Sequence, residues 1–211
     1  MSEMLERLQR EKIVAIFRGI GQDHADAAAG ALIEGGITMM EVTMNTAGAT
    51  RIIDSWRTRF GEQAAIGAGT VLDMGMAVEA IDAGAQFLIS PNLDEGVVAL
   101  GASRGVSVWP GVMTPTEIVR AWSAGAEAVK VFPMGTLGWK YLAEIRAPLD
   151  QIPMIATGGV DLDNIGDYFR AGACAVGMGS KLVNLEWARE GKLDQLRERA
   201  AAFAAAARGR R

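Results

Sequence analysis

Cysteine and histidine are almost absent from this 211-residue chain, which has one of each, Cys174 and His24. A single cysteine cannot form a disulfide within the chain, so the composition is typical of a reducing compartment, and the cytoplasm is the expected location. One histidine and one cysteine also cannot supply the nitrogen and sulfur ligands of a zinc site. A disulfide framework and a zinc site of that kind are therefore excluded within one chain.

Long apolar runs and an excess of positive charge are missing as well. No apolar run approaches the roughly 20 residues of a membrane span, and the N-terminal MSEMLERLQREK is charged, unlike a signal peptide. The formal net charge is -4, whereas a nucleic-acid surface needs a basic face that neutralises phosphates. We therefore expect a soluble protein with no nucleic-acid partner and no membrane partner.

What the chain does contain is a repeated unit of strand and helix, in a sequence that is 50% apolar with 26 glycines. Short runs rich in Val, Ile and Ala alternate with helical segments such as DHADAAAGALIEGG and TPTEIVRAWSAGA. Eight strands are predicted, at 13–17, 37–43, 64–69, 86–90, 106–110, 128–132, 154–157 and 174–178. This alternation indicates parallel strands joined by helical crossovers.

Eight such units favour an α/β fold of the (β/α)8 TIM-barrel type over an open doubly wound sheet. A dinucleotide-binding sheet would have a G-x-G-x-x-G turn after its first strand, and the chain has FRGIGQDHAD there. No linker or low-complexity spacer divides the chain. Residues 1–211 are therefore predicted to form a single barrel domain with an N-terminal helix and a long C-terminal helix within 184–211.

The most unusual residue is Lys130, which interrupts the apolar strand AVKVF. Successive side chains of a strand point to opposite faces, so Lys130 shares a face with Ala128 and Phe132. Val129 and Val131 point the other way and suit packing against helices. The alternation therefore places Lys130 inside the barrel.

A carboxylate with the same inward parity is predicted in the second strand, where Glu41 alternates with Met39 and Thr43. Glu41 and Lys130 could form a structural ion pair. Alternatively, burial lowers the pKa of the lysine, and its neutral amine attacks a ketone to form a Schiff base. Buried ion pairs are often no more favourable than apolar packing, which favours the catalytic interpretation.

Other strand ends contain candidate binding residues. Glycine loops follow the seventh strand (158–159) and the eighth (177–180), where such barrels often bind phosphate, although tight turns alone would also explain either loop. Arg18 suits a carboxylate or phosphate ligand, or a surface salt bridge. Thr70 suits a hydrogen bond to a substrate carboxylate, or a cap for the helix that begins near Asp73.

Eight short segments together resemble one enzyme family. In chain order they are VAIFRG, EVTMNT, IGAGTV, ISPN, PGVMTPTE, VKVFP, ATGGV and VGMGS. Over about residues 8–185 they are similar to class I 2-keto-3-deoxy-6-phosphogluconate (KDPG) aldolases, a family that includes 4-hydroxy-2-oxoglutarate (KHG) and 2-keto-3-deoxy-6-phosphogalactonate aldolases. GAGTV or TGGV alone is a weak signal. The combination of the lysine of VKVFP with the upstream EVT is what makes the set of motifs specific to this family.

The resemblance implies a role for each candidate residue. It implies that Lys130 is the Schiff-base lysine and that Glu41 is the general acid–base, acting through an active-site water. It places Thr70 and Phe132 at the pyruvate site. It assigns phosphate binding to Gly158, Gly159, Gly179 and Ser180. It also implies a homotrimer of barrels that acts on a small keto acid and needs no metal or cofactor.

One position departs from the gluconate-type members of the family. These often have an arginine four residues after the glutamate, where it binds the substrate carboxylate, and this chain has Asn45 there. Asparagine at this position is similar to the phosphogalactonate enzymes and to bifunctional members. Because Asn45 has no charge, carboxylate binding is expected to depend more on Arg18 and Thr70, and the preferred C4 epimer stays open.

The expected reaction is reversible cleavage of a 2-keto-3-deoxy-6-phospho sugar acid to pyruvate and glyceraldehyde 3-phosphate. One alternative is cleavage of 4-hydroxy-2-oxoglutarate to pyruvate and glyoxylate. Another is a catalytically silent trimeric barrel, which the presence of both Lys130 and Glu41 disfavours. A metal-dependent aldolase is also disfavoured, because Glu41 is the one carboxylate at the predicted strand ends.

Overall fold

Parallel strands and helices alternate along residues 2–209, the part of the chain that the structure, a computed structural model, describes. Within this part the strands are β1 (Ile13–Phe17), β2 (Met39–Thr43), β3 (Ala65–Gly69), β4 (Phe87–Ile89), β5 (Ser107–Trp109), β6 (Gly111–Val112), β7 (Val129–Val131), β8 (Met154–Thr157) and β9 (Ala175–Met178). The helices are α1 (Glu3–Glu11), α2 (Gln22–Glu34), α3 (Ala49–Phe60), α4 (Met74–Asp82), α5 (Glu95–Arg104), α6 (Pro115–Ser123), α7 (Met134–Arg146), α8 (Ile165–Arg170), α9 (Leu185–Arg189) and α10 (Leu193–Arg208). Positions 1, 210 and 211 of the predicted domain lie outside the described residues.

The strands form one parallel sheet in the order β5-β4-β3-β2-β1-β9-β8-β7-β6. Its two edge strands, β5 and β6, are consecutive in the chain and are separated by Pro110 alone. Because β5 pairs with β4 and β6 pairs with β7, the sheet closes into a barrel at this proline. The predicted (β/α)8 fold is confirmed.

The prediction of a single fifth strand at 106–110 is wrong in its boundaries. Proline has no N–H for a strand ladder, so regular pairing with β4 stops at Trp109. The Pro110 carbonyl instead accepts a hydrogen bond from the Lys130 N–H on the other side, at 2.9 Å. Gly111 then passes so close to Pro91 that a Cβ at position 111 would lie 2.2 Å from the Pro91 carbonyl carbon.

Apolar side chains form two layers, one inside the barrel and one between the strands and the surrounding helices. The inner layer includes Phe87 and Trp109, whose rings stack with centroids 4.8 Å apart. Leu5 and Leu8 of α1 belong to the same layer, so α1 closes the amino-terminal end of the barrel. Buried polar side chains lie toward the carboxyl ends of the strands: Glu41, Thr43, Lys130 and Thr157.

Glycine ends three of the helices at the joints that the sequence predicts. The residues that follow α4, α6 and α8 include Gly84, Gly125 and Gly172, with φ values of 94°, 99° and 96°. A Cβ is disfavoured in this left-handed region, so glycine lets the chain leave each helix and enter the next strand.

The C-terminal segment forms two helices, where the sequence predicts one long helix. The helices α9 and α10 are separated by Gly191, which has a φ of 70° and so interrupts the helical backbone. The longer helix, α10, packs on α2, and Gly35 makes the close approach possible, because a Cβ there would lie 2.5 Å from the Ala200 Cβ. Over residues 2–209, no helix has both the length and the apolar character that a membrane crossing requires.

Candidate active site

A cavity of about 740 Å³ opens at the carboxyl ends of the strands. Because strand ends and the loops after them form this rim in every (β/α)8 barrel, it is where such folds position reactive groups. Eight of the ten predicted site residues line the cavity: Arg18, Thr70, Lys130, Phe132, Gly158, Gly159, Gly179 and Ser180.

Lys130 reaches the cavity from the middle of β7. Val129 and Val131 belong to the outer apolar layer and Ala128 to the inner one, so Lys130 lies on the inward face that strand alternation predicts. The residue is only 6% exposed, and its Nζ lies 5.1 Å from the centroid of the Phe132 ring. Burial lowers the pKa of Lys130. The negative charge of Glu41 opposes this shift by raising the pKa, and the positive charge of Arg18 lowers the pKa further.

Glu41 lies on β2 inside the barrel and is 1% exposed. Its carboxyl group occupies space beside Gly69, where a Cβ would lie 2.3 Å from Glu41 Oε1. Its Oε2 is buried without a hydrogen-bond partner. Burial therefore raises the pKa of Glu41 to about 7, although the positive charges of Lys130 and Arg18 oppose the shift.

Lys130 and Glu41 influence each other without forming an ion pair. Among the described carboxylates, none has an oxygen within 4.0 Å of Lys130 Nζ. The structural ion pair that the sequence allows is therefore not formed. Instead, the site combines a desolvated amine that faces the cavity with a carboxyl group that titrates near neutral pH. A neutral amine is a nucleophile toward ketones, and a carboxyl with a pKa near the working pH is an effective proton-transfer group.

Arg18 and Asn45 meet at the rim of the barrel, where Arg18 Nη1 donates a 3.5 Å hydrogen bond to Asn45 Oδ1. Asn45 is exposed and lies outside the residues that line the cavity, unlike Arg18. The chain next to Arg18 is held by Thr46, whose Oγ1 accepts a 2.9 Å hydrogen bond from the Gly19 N–H. The Thr46 hydroxyl also shares a 2.9 Å hydrogen bond with the buried Thr43 hydroxyl of β2. This network fixes the loop after β1 to β2.

Thr70 lines the cavity just after β3 with a φ of 57°, in the left-handed region. Such a backbone is unusual for a residue with a branched Cβ and costs about 1–2 kcal/mol, which surrounding contacts must offset. The helix-capping alternative for Thr70 is wrong, because the cap of α4 is Asp73, whose side chain accepts a hydrogen bond from the Met76 N–H at 2.8 Å.

The two predicted glycine loops follow the neighbouring strands β8 and β9, and both line the cavity. Gly158 and Gly159 have φ values of 93° and 70°, and a Cβ at Gly159 would lie 2.3 Å from the Cα of Gly135 at the start of α7. After β9, the N–H groups of Leu182 and Val183 both donate to the Gly179 carbonyl, so the chain turns tightly there. Both loops therefore bring main chain to the cavity wall, beside the side chains of Val160, Lys181 and Val183.

Comparisons with known proteins identify the family. Residues 4–198 match the sequence model of the family described as KDPG and KHG aldolase. The chain belongs to this aldolase family. It is therefore an aldolase, a carbon–carbon lyase, as the sequence predicts.

Relatives of this aldolase cover most of its length. It is 37% identical over 171 residues, 81% of each chain, to the probable 2-dehydro-3-deoxy-6-phosphogalactonate aldolase of Rhizobium meliloti (strain 1021). It is 34% identical to the 2-dehydro-3-deoxy-6-phosphogalactonate aldolase of Escherichia coli (strain K12), over 93% of this chain and 94% of the relative. The structure of KDPG aldolase from Legionella pneumophila, with pyruvate captured as a covalent carbinolamine, is similar with a TM-score of 0.89 and 26% identity, over 95% of this chain and 98% of that one.

Several residues that line the cavity of the aldolase were not predicted from the sequence. Most are apolar and contribute to its wall: Ile16, Leu72, Val160, Val183 and Leu185. The charged exception is Lys181, whose only signal in the sequence is its position directly after Ser180. Among residues 2–209, no three or more His, Cys, Asp or Glu side chains are grouped as metal ligands.

Proposed function

We propose that this aldolase cleaves a 2-keto-3-deoxy-6-phospho sugar acid to pyruvate and glyceraldehyde 3-phosphate through a Schiff base on Lys130. The observation that carries the proposal is the buried Lys130 amine, open to the cavity and free of a carboxylate partner among the described residues. The covalent carbinolamine of pyruvate in the Legionella relative supports the same chemistry.

The reaction begins when the neutral Lys130 amine attacks the C2 ketone and forms a carbinolamine, which loses water to give an iminium ion. Glu41, as the carboxylate, takes the C4 hydroxyl proton through a water molecule. The C3–C4 bond then breaks, its electron pair moves into the iminium to form an enamine, and the aldehyde leaves. Protonation at C3 and hydrolysis release pyruvate and regenerate the Lys130 amine.

Arg18 and Thr70 bind the substrate carboxylate in this proposal, and Phe132 forms an apolar side of the pyruvate site. The phosphate binds at the other end, at the main chain of Gly158, Gly159, Gly179 and Ser180. The support is that all of these residues line one cavity, with the lysine among them. Loops after the last two strands are also a frequent phosphate site in such barrels.

The test is reduction with borohydride in the presence of pyruvate, followed by peptide mass spectrometry. We expect one reduced pyruvyl group on Lys130, and no adduct in the Lys130→Ala variant. Lys140→Ala, which removes an exposed lysine of α7, is the control and should keep the adduct. If the unmodified protein forms no adduct, the proposal is wrong.

Asn45 bears on which epimer is cleaved. Its side chain is uncharged and contacts Arg18 on the rim, so the carboxylate is left to Arg18 and Thr70. Activity on the gluconate and galactonate epimers, measured by coupling pyruvate release to lactate dehydrogenase, decides the preference. The same assay with 4-hydroxy-2-oxoglutarate tests the second activity in the family description, and Ser180→Asp should impair only the phosphorylated substrates.

We also propose that the aldolase is a homotrimer of single-domain chains that works in the cytoplasm. Large apolar side chains remain exposed on and beside α6 and α7: Met113, Val119, Trp122 and Trp139. The Tyr141 hydroxyl of α7 donates a hydrogen bond to the Met113 carbonyl, which links α7 to the segment just before α6. Burial of such a patch between copies of the chain would stabilise an oligomer.

A further inference from the structure

We propose that Lys181 is the cation that binds the substrate phosphate, and that its ion pair with Asp161 is exchanged for the phosphate when substrate enters. This inference rests on the proposed function, because it assigns one residue of the same cavity to the phosphorylated end of the substrate. The observation behind it is that Lys181 lines the cavity directly after one glycine loop and pairs with Asp161, which follows the other loop.

Lys181 and Asp161 connect the two loops that frame one end of the cavity. Lys181 follows Ser180 in the turn after β9, and Asp161 lies two residues after Gly159 in the loop after β8. Lys181 Nζ lies 2.9 Å from Asp161 Oδ2. Each of the two loops that are proposed to bind phosphate is thus followed by one member of this ion pair, and Lys181 itself lines the cavity.

The charges of the cavity wall also single out Lys181. Of the described residues that line the cavity, the basic ones are Arg18, Lys130 and Lys181, and none is acidic. Lys130 must be neutral to attack a ketone, which leaves Arg18 and Lys181 as lasting positive charges. A phospho sugar acid has two anionic ends, a carboxylate and a phosphate. With Arg18 at the carboxylate, Lys181 is the remaining cation for the phosphate.

The ion pair between Lys181 and Asp161 is weak enough for a substrate phosphate to replace Asp161 as the partner of Lys181. The side chains of Lys181 and Asp161 are 65% and 37% exposed, and exposed ion pairs contribute little to stability. A phosphate dianion offers more negative charge and more acceptor oxygens than one carboxylate. Asp161 keeps other favourable neighbours when Lys181 turns away, because it accepts a 2.8 Å hydrogen bond from the Leu162 N–H and lies near Arg199.

Arg199 of α10 keeps the Lys181 backbone in place during such an exchange. Its Nη1 donates a 3.2 Å hydrogen bond to the Lys181 carbonyl, and its guanidinium lies 4.1 Å from the centroid of the Trp187 ring. The turn is therefore fixed to α10 while the lysine side chain is free to move. Arg199 acts through Lys181 and is a positioning residue.

The test compares Lys181→Gln and Asp161→Asn in the intact protein. Calorimetric titration with inorganic phosphate measures the anion site without any turnover. We expect Lys181→Gln to weaken phosphate binding about tenfold, since hydrogen bonds to charged groups are among the stronger ones. Asp161→Asn should strengthen it about threefold, because the competing carboxylate is removed.

Kinetic measurements complete the test. Lys181→Gln should raise KM for the phosphorylated substrate about tenfold and change turnover of 4-hydroxy-2-oxoglutarate less than about twofold. Lys192→Gln is the matched control, because Lys192 is an exposed lysine paired with Glu190 at 2.7 Å and lies outside the cavity lining. It should leave both phosphate binding and KM unchanged.

Two results would overturn the inference. If Lys181→Gln leaves phosphate binding within about twofold of the unmodified protein, Lys181 is not the phosphate cation. If Lys181→Gln and Asp161→Asn both weaken phosphate binding, the ion pair only holds the loops together. Neither result affects the pyruvate adduct on Lys130, so failure of this inference is distinguishable from failure of the proposed aldol reaction.

Discussion

The carboxyl group of Glu41 lies in space that exists because residue 69 is glycine. A Cβ at Gly69 would lie 2.5 Å from the Glu41 carboxyl carbon, on the neighbouring strand. The glycine of β3 thus leaves room for the acid of β2, whose charge and that of Lys130 influence each other. Both β2 and β3 therefore contribute to the proposed chemistry, although only β2 has a reactive side chain, Glu41.

Gly69→Ala should lower activity much more than stability. The group that the new methyl meets is the end of a side chain, which can turn aside, so the fold survives while the acid–base group is displaced. We expect kcat to fall about 100-fold, as for loss of a general acid–base, with the pyruvate adduct on Lys130 still formed. Gly30→Ala on α2, where a Cβ meets nothing within 4 Å, is the control and should keep full activity.

Glu41→Gln should change how stability depends on pH. The native Glu41 carboxyl keeps its proton up to about pH 7, whereas an unfolded chain releases it near 4.5. The unfolded state binds fewer protons in this window, so the free energy of unfolding falls as pH rises through it. Glutamine does not titrate, so the free energy of unfolding of the variant does not fall in this way as pH rises. The variant should be more stable than the unmodified protein by about 3 kcal/mol near pH 8, and about equally stable near pH 4.

Chemical denaturation at the two pH values measures this difference, and a difference that is the same at both would contradict the assignment. The activity of the unmodified aldolase should rise with pH through about 7 as the Glu41 carboxylate forms. The Glu41→Gln variant should lose that rise and most of its kcat.

Thr46→Val should weaken binding of the keto acid through Arg18. The substitution leaves the Gly19 N–H without its acceptor, which costs about 1–3 kcal/mol of stability and loosens the loop that contains Arg18. The pyruvate concentration for half-maximal borohydride trapping should rise, and Thr46→Ser should restore it because its hydroxyl keeps the acceptor. A Val variant with unchanged trapping would show that Arg18 is positioned without Thr46.

Trp122→Glu should dissociate the proposed trimer. A charge at this exposed apolar position of α6 cannot be buried against a second chain without a large desolvation cost. Light scattering should show a mass three times 22.3 kDa for the unmodified protein and a smaller mass for the variant. Ala205→Glu, at an exposed position of α10, is the control and should stay trimeric. A monomeric unmodified protein would rule out the trimer.

Much of the fold could be predicted from the sequence because its signals are local. Strand alternation is a property of one segment, so the inward direction of Lys130 and the outward direction of its two valine neighbours follow from AVKVF alone. The Gly-Ala joints likewise predict where α4, α6 and α8 end, since only glycine readily takes the left-handed backbone there. The family and its aldolase activity followed from short motifs in a specific order.

Relationships between segments were decided by the tertiary structure. The separation of Lys130 from any described carboxylate, the space that Gly69 leaves for Glu41 and the division of the fifth strand at Pro110 depend on strand register and packing. The same holds for the meeting of Lys181 and Asp161, which are distant in the chain and lie in two different loops. Sequence by itself determined which side chains point inward, because alternation has a period of two residues. Only the folded barrel determined the distances between them, because those depend on how neighbouring strands are staggered.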